Sequence, residues 1–174
     1  MRWSRLKKTI ESRFAESLGG RVEVRSTKYR YGHENIGRGI LVVDGEEVAN
    51  FCTFRFYNEL ADTAEVLEEA GAKPRAAFRE AEERLRRDGV LTQEQFYGRL
   101  EDFLRMPFDD ALASSDVLIQ ALALLDGRLG KRRLRRMAEE PPEQPLHRRL
   151  FELRCGAEGV RIRAAEAPLV EDAG

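Results

Sequence analysis

The spacing of apolar residues changes near residue 54. Upstream, in "RVEVRSTKYRY" and "ILVVDGEEVANFC", β-branched and aromatic side chains alternate with polar ones or form short runs. Downstream they recur at three- and four-residue steps. A period of two belongs to strands and a period near 3.6 to helices, so one chain carrying both in separate blocks is α+β. The expected architecture is an N-terminal helix on a three-stranded antiparallel sheet, followed by an all-helical C-terminal half.

The details follow residue by residue. Trp3, Leu6, Ile10, Phe14 and Leu18 predict an amphipathic first helix, with Ser4 as N-cap and the Gly19-Gly20 pair as its stop. In the next strand Val22 and Val24 share one face, but Thr27, Tyr29 and Tyr31 fall on the other, which predicts a bulge near Ser26. "GHENIGRG", 32–39, reads as a polar loop. Ile40–Val43 and Val48–Cys52 read as hairpin arms around an Asp44-Gly45 turn.

Helices follow at "FYNELADTAEVLEEAG", "KPRAAFREAEERLRRDG" with Pro74 in its first turn, and "LTQEQFYGRLEDFLRM" with Thr92 and Gln95 in capping-box spacing. "DVLIQALALLDG" is apolar all round and predicts the most buried helix. Asp109 and Asp116 are expected to cap helices. After a basic segment and the connector "EEPPEQP", "LHRRLFELRCG" closes the helical region. The expected organisation is 1–72 for helix, sheet and acidic helix, 73–156 for the helical region packed on it, and 157–174 for a partly disordered tail.

With 42% hydrophobic residues among 174, the chain can build a core without disulfide or metal staples. Charged residues reach 35% yet cancel to −1, so no global field draws the protein to a polyanion. The charges are segregated. Residues 1–31 carry nine basic and three acidic side chains, residues 44–72 one and eight, residues 91–127 two and seven. Two cysteines, Cys52 and Cys155, read as free buried thiols of a reducing compartment. The N-terminal segment has no apolar run of a secretory signal, and "VLIQALALL" is too short to span a bilayer. A cytoplasmic protein with no membrane contact is expected.

"RLGKRRLRR", 128–136, places six basic residues in nine positions without an acid. At helical steps of about 100° per residue, Arg128, Lys131, Arg132, Arg135 and Arg136 share one arc opposite Leu134 and Met137. Guanidinium forks suit phosphate oxygens, so this band is a candidate polyanion surface. The competing reading is a solvated or internally paired face, with carboxylates from the acidic blocks as partners. A second basic stretch, "RSTKYRYGH", interleaves aromatics with cations. Lys28 and Arg30 would extend the surface if the sheet lies alongside, although a half-exposed strand gives the same pattern.

Other chemistries find less support. His33, Cys52, His147 and Cys155 could together supply zinc ligands or a Cys–His pair, but no two have the local spacing of such a site. Asp44, Glu46 and Glu47 have the acids of a metal-dependent nuclease sheet without the lysine that should follow. Walker, dinucleotide-binding and GxSxG motifs are missing. No cofactor, metal or catalytic residue is expected.

The order helix–strand–strand–strand–helix over the first seventy or so residues resembles that of the double-stranded RNA-binding domain. That family sets a lysine cluster at the start of its closing helix. The matching segment here has Arg55 alone against Glu59, Asp62, Glu65, Glu68 and Glu69, so no RNA-binding residue is carried over. The strings "MRWSRLKK", "VANFCTF", "LDGRLGKRRL" and "LRCGAEG" resemble those of a bacterial family of uncharacterised proteins of about this length. That resemblance implies a bacterial cytosolic protein and assigns no site.

The leading expectation is a non-catalytic module that contacts nucleic acid or another polyanion through the basic helix. The alternative is a protein-interaction module, toxin-neutralising or complex-assembling, whose charge blocks complement an acidic protein or a second copy of the chain. A small enzyme ranks third.

Overall fold

The computed structural model describes residues 2–31 and 34–163. Helix α1 spans Trp3–Glu11, and a single 3-10 turn covers Glu16–Leu18. The strands are β1 Val22–Tyr31, β2 Glu34–Val43 and β3 Glu46–Cys52. The helices that follow are α2 Thr53–Glu69, α3 Pro74–Arg87, α4 Gln93–Arg105, α5 Phe108–Leu112, α6 Val117–Leu125, α7 Lys131–Met137 and α8 Pro145–Glu158. The strands form one antiparallel sheet in the order β1-β2-β3. The α+β architecture agrees with the change of period in the sequence.

The segment read as a polar loop is largely strand, since residues 34–39 belong to β2. The glycines were the misleading signal. A Cβ at Gly39 would stand 2.3 Å from the Phe96 ring, and one at Gly37 would stand 1.9 Å from the Gln93 side-chain oxygen. Both glycines sit where α4 lies against the backbone of a strand. The same packing accounts for the parity flip. Ser26 pairs opposite Gly39, and its hydroxyl bonds Tyr97 at 2.6 Å and receives the Gln93 amide at 2.7 Å. The inner face turns polar there because the N-terminal turn of α4 fills it with an amide.

No bulge forms at Ser26, and β1 pairs with β2 in unbroken register from Val22↔Val43 to Tyr31↔Glu34. The register shift lies instead between β2 and β3, at Leu41/Val42. The extra residue is Val48 on β3, just past the Asp44-Gly45 turn, where Asp44 takes φ 52° and Gly45 φ 86°, as the predicted two-residue hairpin requires.

Helix α1 is shorter than its periodicity suggests. Its N-cap is Arg2 rather than Ser4, and it ends at Glu11. Phe14 and Leu18 keep apolar contacts by another route. The Ala15 amide donates to the Leu125 carbonyl at 2.9 Å, and the Gly127 amide donates to Arg13 at 2.8 Å. A bridge between Phe14 and Asp126 therefore replaces the last turns of the helix.

The principal core joins the inner sheet face (Val22, Val24, Leu41, Val43, Phe51) to Leu6 and Ile10 of α1, Phe96, Leu100 and Phe103 of α4, and α6. Phe51 and Phe96 stack at 5.1 Å. In α6 every residue except Gln120 is buried, and Asp116 caps it by accepting from the Leu118 and Ile119 amides. The Thr92–Gln95 capping box of α4 is complete. Asp109 is not a cap, because Pro107 holds that position. A second core holds α2 and α3 together through Phe56, Leu60, Ala64, Ala77, Ala81 and Leu85. A third underlies α7. No helix among the described residues is long and apolar enough to cross a membrane.

Candidate polyanion-binding surface

Helix α7 is held by one face only. Leu134 is fully buried and Ala138 nearly so, against Leu124, Leu129, Phe151, Cys155 and Val160. That anchoring turns Lys131, Arg132, Arg135 and Arg136 outward. All four are exposed, and none makes an ion pair with a described residue. Acids of the 44–72 block find other cations: Asp44 bonds Arg21 at 2.7 Å, Glu46 bonds Arg149 at 2.9 Å, and Glu47 bonds Arg38 at 2.6 Å.

Arg128 and Arg133 behave differently. Arg128 precedes α7 and grips the buried Asp126 carboxylate, Nη2 donating at 2.7 Å and Nε at 3.0 Å, with its guanidinium carbon 5.0 Å from the centre of the Phe108 ring. The hydrogen bond to Asp126 raises the guanidinium above its usual value, against burial and with help from the carboxylate charge. Arg133 sits at the edge of the arc, bonded to Asp109 at 2.5 Å and 5.7 Å from the same ring. Of the five arginines and lysines assigned to the band from sequence, four are open and Arg128 is internally paired.

Lys28 and Arg30, the expected extension, belong to the sheet rather than to the cluster that anchors α7. Both are exposed on β1. Lys28 lines a groove of about 380 Å³ with Trp3, Leu6, Ser26, Thr27, Tyr97 and Glu101, while α7 packs on the α6 end and α8.

Sequence reasoning missed two features beside α7. Residues 160–163 leave α8 and run along its end, where Val160 joins the buried cluster and the Arg163 amide donates to the Ala138 carbonyl at 3.0 Å. Arg161 is thereby added, exposed, next to the basic helix. An open cleft of about 570 Å³ also forms between residues 12–17, residues 126–128 and the end of α8. Arg154, 2% exposed, ties its walls by donating to Ser17 Oγ at 2.6 Å, to Glu158 and to the Leu129 carbonyl at 3.1 Å. Its Nε has no partner among the described residues. Hydrogen bonds from Ser17 and Arg154 hold the Glu158 carboxyl below its usual range, and the Lys131 charge adds to the effect. The Arg154–Glu158 pair exists because α8 runs to Glu158, two residues past the end expected from sequence.

The two thiols differ. Cys155 is buried, and loss of solvent pushes it up to about 11. Cys52, expected to be buried, is partly exposed at the N-terminus of α2. Burial pushes its thiol up, but the Tyr29 hydroxyl at 3.5 Å, the Arg55 and Phe54 amides and the Arg38 charge outweigh that, leaving it below the ordinary value. His147 is buried and donates Nε2–H to the Val117 carbonyl at 2.7 Å. His33 lies outside the described residues.

The fold and this surface define an α+β protein whose helical half presents a helix with four cations outside any ion pair among the described residues. The chain matches the SF0329 protein family over residues 2–155 and belongs to that family. No curated protein and no solved structure gives a match.

Proposed function

We propose that this is a non-catalytic binding protein that contacts nucleic acid, or a polyanion of similar phosphate spacing, through α7. The observation that carries the reading is the outward row Lys131, Arg132, Arg135 and Arg136, none of them in a salt bridge with a described carboxylate. Side chains already paired would have to break a contact before meeting phosphate. These need not, so each phosphate contact releases counterions at no internal cost. Arg161 widens the band. The reading keeps the protein in a bacterial cytosol, where the free Cys52 and Cys155 remain thiols.

The test is fluorescence anisotropy with a labelled 20-nucleotide duplex across a salt series. Binding should weaken steeply with salt and about equally for unrelated sequences. The K131Q/R132Q/R135Q/R136Q variant should lower the salt slope by about 3 to 4 for B-form DNA. An unchanged slope in that variant sinks the reading.

A second reading, a protein-interaction module, draws on the α2–α3 pair. Tyr57 is 59% and Phe78 49% exposed there, beside the acids of α2. Exposed aromatics favour protein contacts. Salt-resistant recovery of one protein at fixed stoichiometry, lost on Y57S/F78S, would support it.

A further inference from the structure

The cleft beside α7 is lined by six charged residues and one aromatic ring. Its walls come from three distant parts of the chain, held by the Asp126–Arg128 fork and by the contacts of Arg154 with Ser17 and Glu158. These contacts neutralise four of the charges in the lining. Two are left over. Arg13, half-buried, and Glu16, exposed, each line the cleft without an ion-pair partner among the described residues.

Arg128 spends Nε and Nη2 on Asp126, and its Nη1 has no carboxylate partner among the described residues. The cleft therefore offers one whole guanidinium and one free guanidinium nitrogen for an anion, with a carboxylate nearby to accept from a hydroxyl or amino group. Phe14 adds an apolar wall. The volume, about 570 Å³, lies within the range of small-molecule sites.

We propose that this cleft binds the phosphomonoester of a nucleotide, its phosphate held by Arg13 and Arg128 and its sugar or base donors by Glu16. Guanidinium forks match phosphate oxygens, and a charge-assisted bond to each contributes more than a neutral one. A lone carboxylate in the same cleft disfavours ligands that are anionic throughout and selects those with donor groups at the other end. The phosphomonoester could belong to a free mononucleotide or to a strand end. Only the strand-end source rests on the α7 reading, because Arg128 leads through Gly130 directly into that helix.

Isothermal titration with adenosine monophosphate tests the site on the full chain, with adenosine as the control. Wild type should bind the monophosphate and not the nucleoside. Arg13→Gln should weaken it about tenfold or more, and Arg13→Lys should recover part of the loss. Arg13 has no structural ion pair to break, and circular dichroism confirms that the variant folds. The R132Q/R135Q/R136Q variant, which keeps Lys131 and its charge near Glu158, should bind the monophosphate as wild type does.

A 5′-phosphorylated RNA octamer and its 5′-hydroxyl twin separate the sources. An advantage for the phosphorylated strand that disappears in Arg13→Gln assigns the site to strand ends. Equal binding of the two strands, with monophosphate binding retained, assigns it to free nucleotide. Absence of monophosphate binding, or binding unchanged in Arg13→Gln, overturns the proposal. If the octamer still binds through α7 in that case, the surface reading survives without it. If the monophosphate binds but neither octamer nor duplex does, the surface reading falls and the cleft remains.

Discussion

Arg128 and Asp126 form a fork in which a carboxylate only 1% exposed is gripped by a guanidinium that solvent still reaches. Asp126 also accepts the Arg128 amide at 2.8 Å, so one carboxylate fixes both the backbone and the side chain at the entry to α7. Removing the arginine strands a buried charge. Arg128→Ala should cost about 2–3 kcal/mol in urea unfolding, below the roughly 3–5 of a fully buried pair because water screens part of the interaction. Asp126→Asn should cost less, since the charge left without a partner is the Arg128 guanidinium, which water reaches.

Neutralising the open face of α7 should do the reverse. Arg132→Gln, Arg135→Gln and Arg136→Gln together should change stability by no more than about 0.5 kcal/mol each, as surface substitutions without partners do. Leu134→Ala, on the buried face, should cost about 2–5 kcal/mol. Equal destabilisation by both sets would contradict the packing of α7.

The thiols should be separable by alkylation. Cys52 is partly exposed with a lowered thiol, whereas Cys155 is buried and raised to about 11. Thiolate is the nucleophile, so near neutral pH iodoacetamide should label Cys52 first, and Cys155 only on unfolding. Tyr29→Phe removes the hydroxyl beside Cys52 and should slow that labelling. Mass spectrometry of the peptides reads both outcomes.

His147 gives the fold a dependence on pH. Burial holds its imidazole below the ordinary value, against the pull of the Val117 carbonyl and the Asp116 charge. Above about pH 6.5 both folded and unfolded chains carry the neutral ring, and its contribution to stability is complete. As pH falls further the unfolded chain takes up a proton that the folded one refuses. Stability is then lost down to the lowered folded pKa and levels off below it. His147→Gln should flatten the fall in urea midpoint between pH 7.5 and 5.5.

Gly39→Ala tests the close approach of α4 to β2. The added Cβ would meet the Phe96 ring at 2.3 Å, a distance that forces the ring or the strand to move. A loss of about 1–3 kcal/mol is expected, as for overpacked cores. Gly98→Ala, on α4 with open space at its Cβ, should instead be neutral or slightly stabilising.

Much of the helical half was legible because its signals are local. The Thr92–Gln95 box, the Asp116 cap, the Pro74 start and the opposition of Leu134 to Arg132 and Arg135 each span a few residues. The Asp44-Gly45 turn was legible for the same reason. The outward face of α7 could therefore be drawn from spacing alone.

Which cations on that face stay free was not legible, because the answer depends on carboxylates supplied from elsewhere. Arg133 is taken by Asp109, 24 positions away, and Arg154 meets Ser17 across 137. Gly37 and Gly39 looked like loop glycines until α4 was laid over them, and Phe14 looked helical until Leu125 offered its neighbour a carbonyl. Periodicity and capping are settled between near neighbours along the chain, so the amino-acid order alone determines where most helices start and which faces they bury. Pairing of charges, strand limits and the cleft arise where distant segments compete for the same space and the same hydrogen bonds, and only the folded chain resolves that competition.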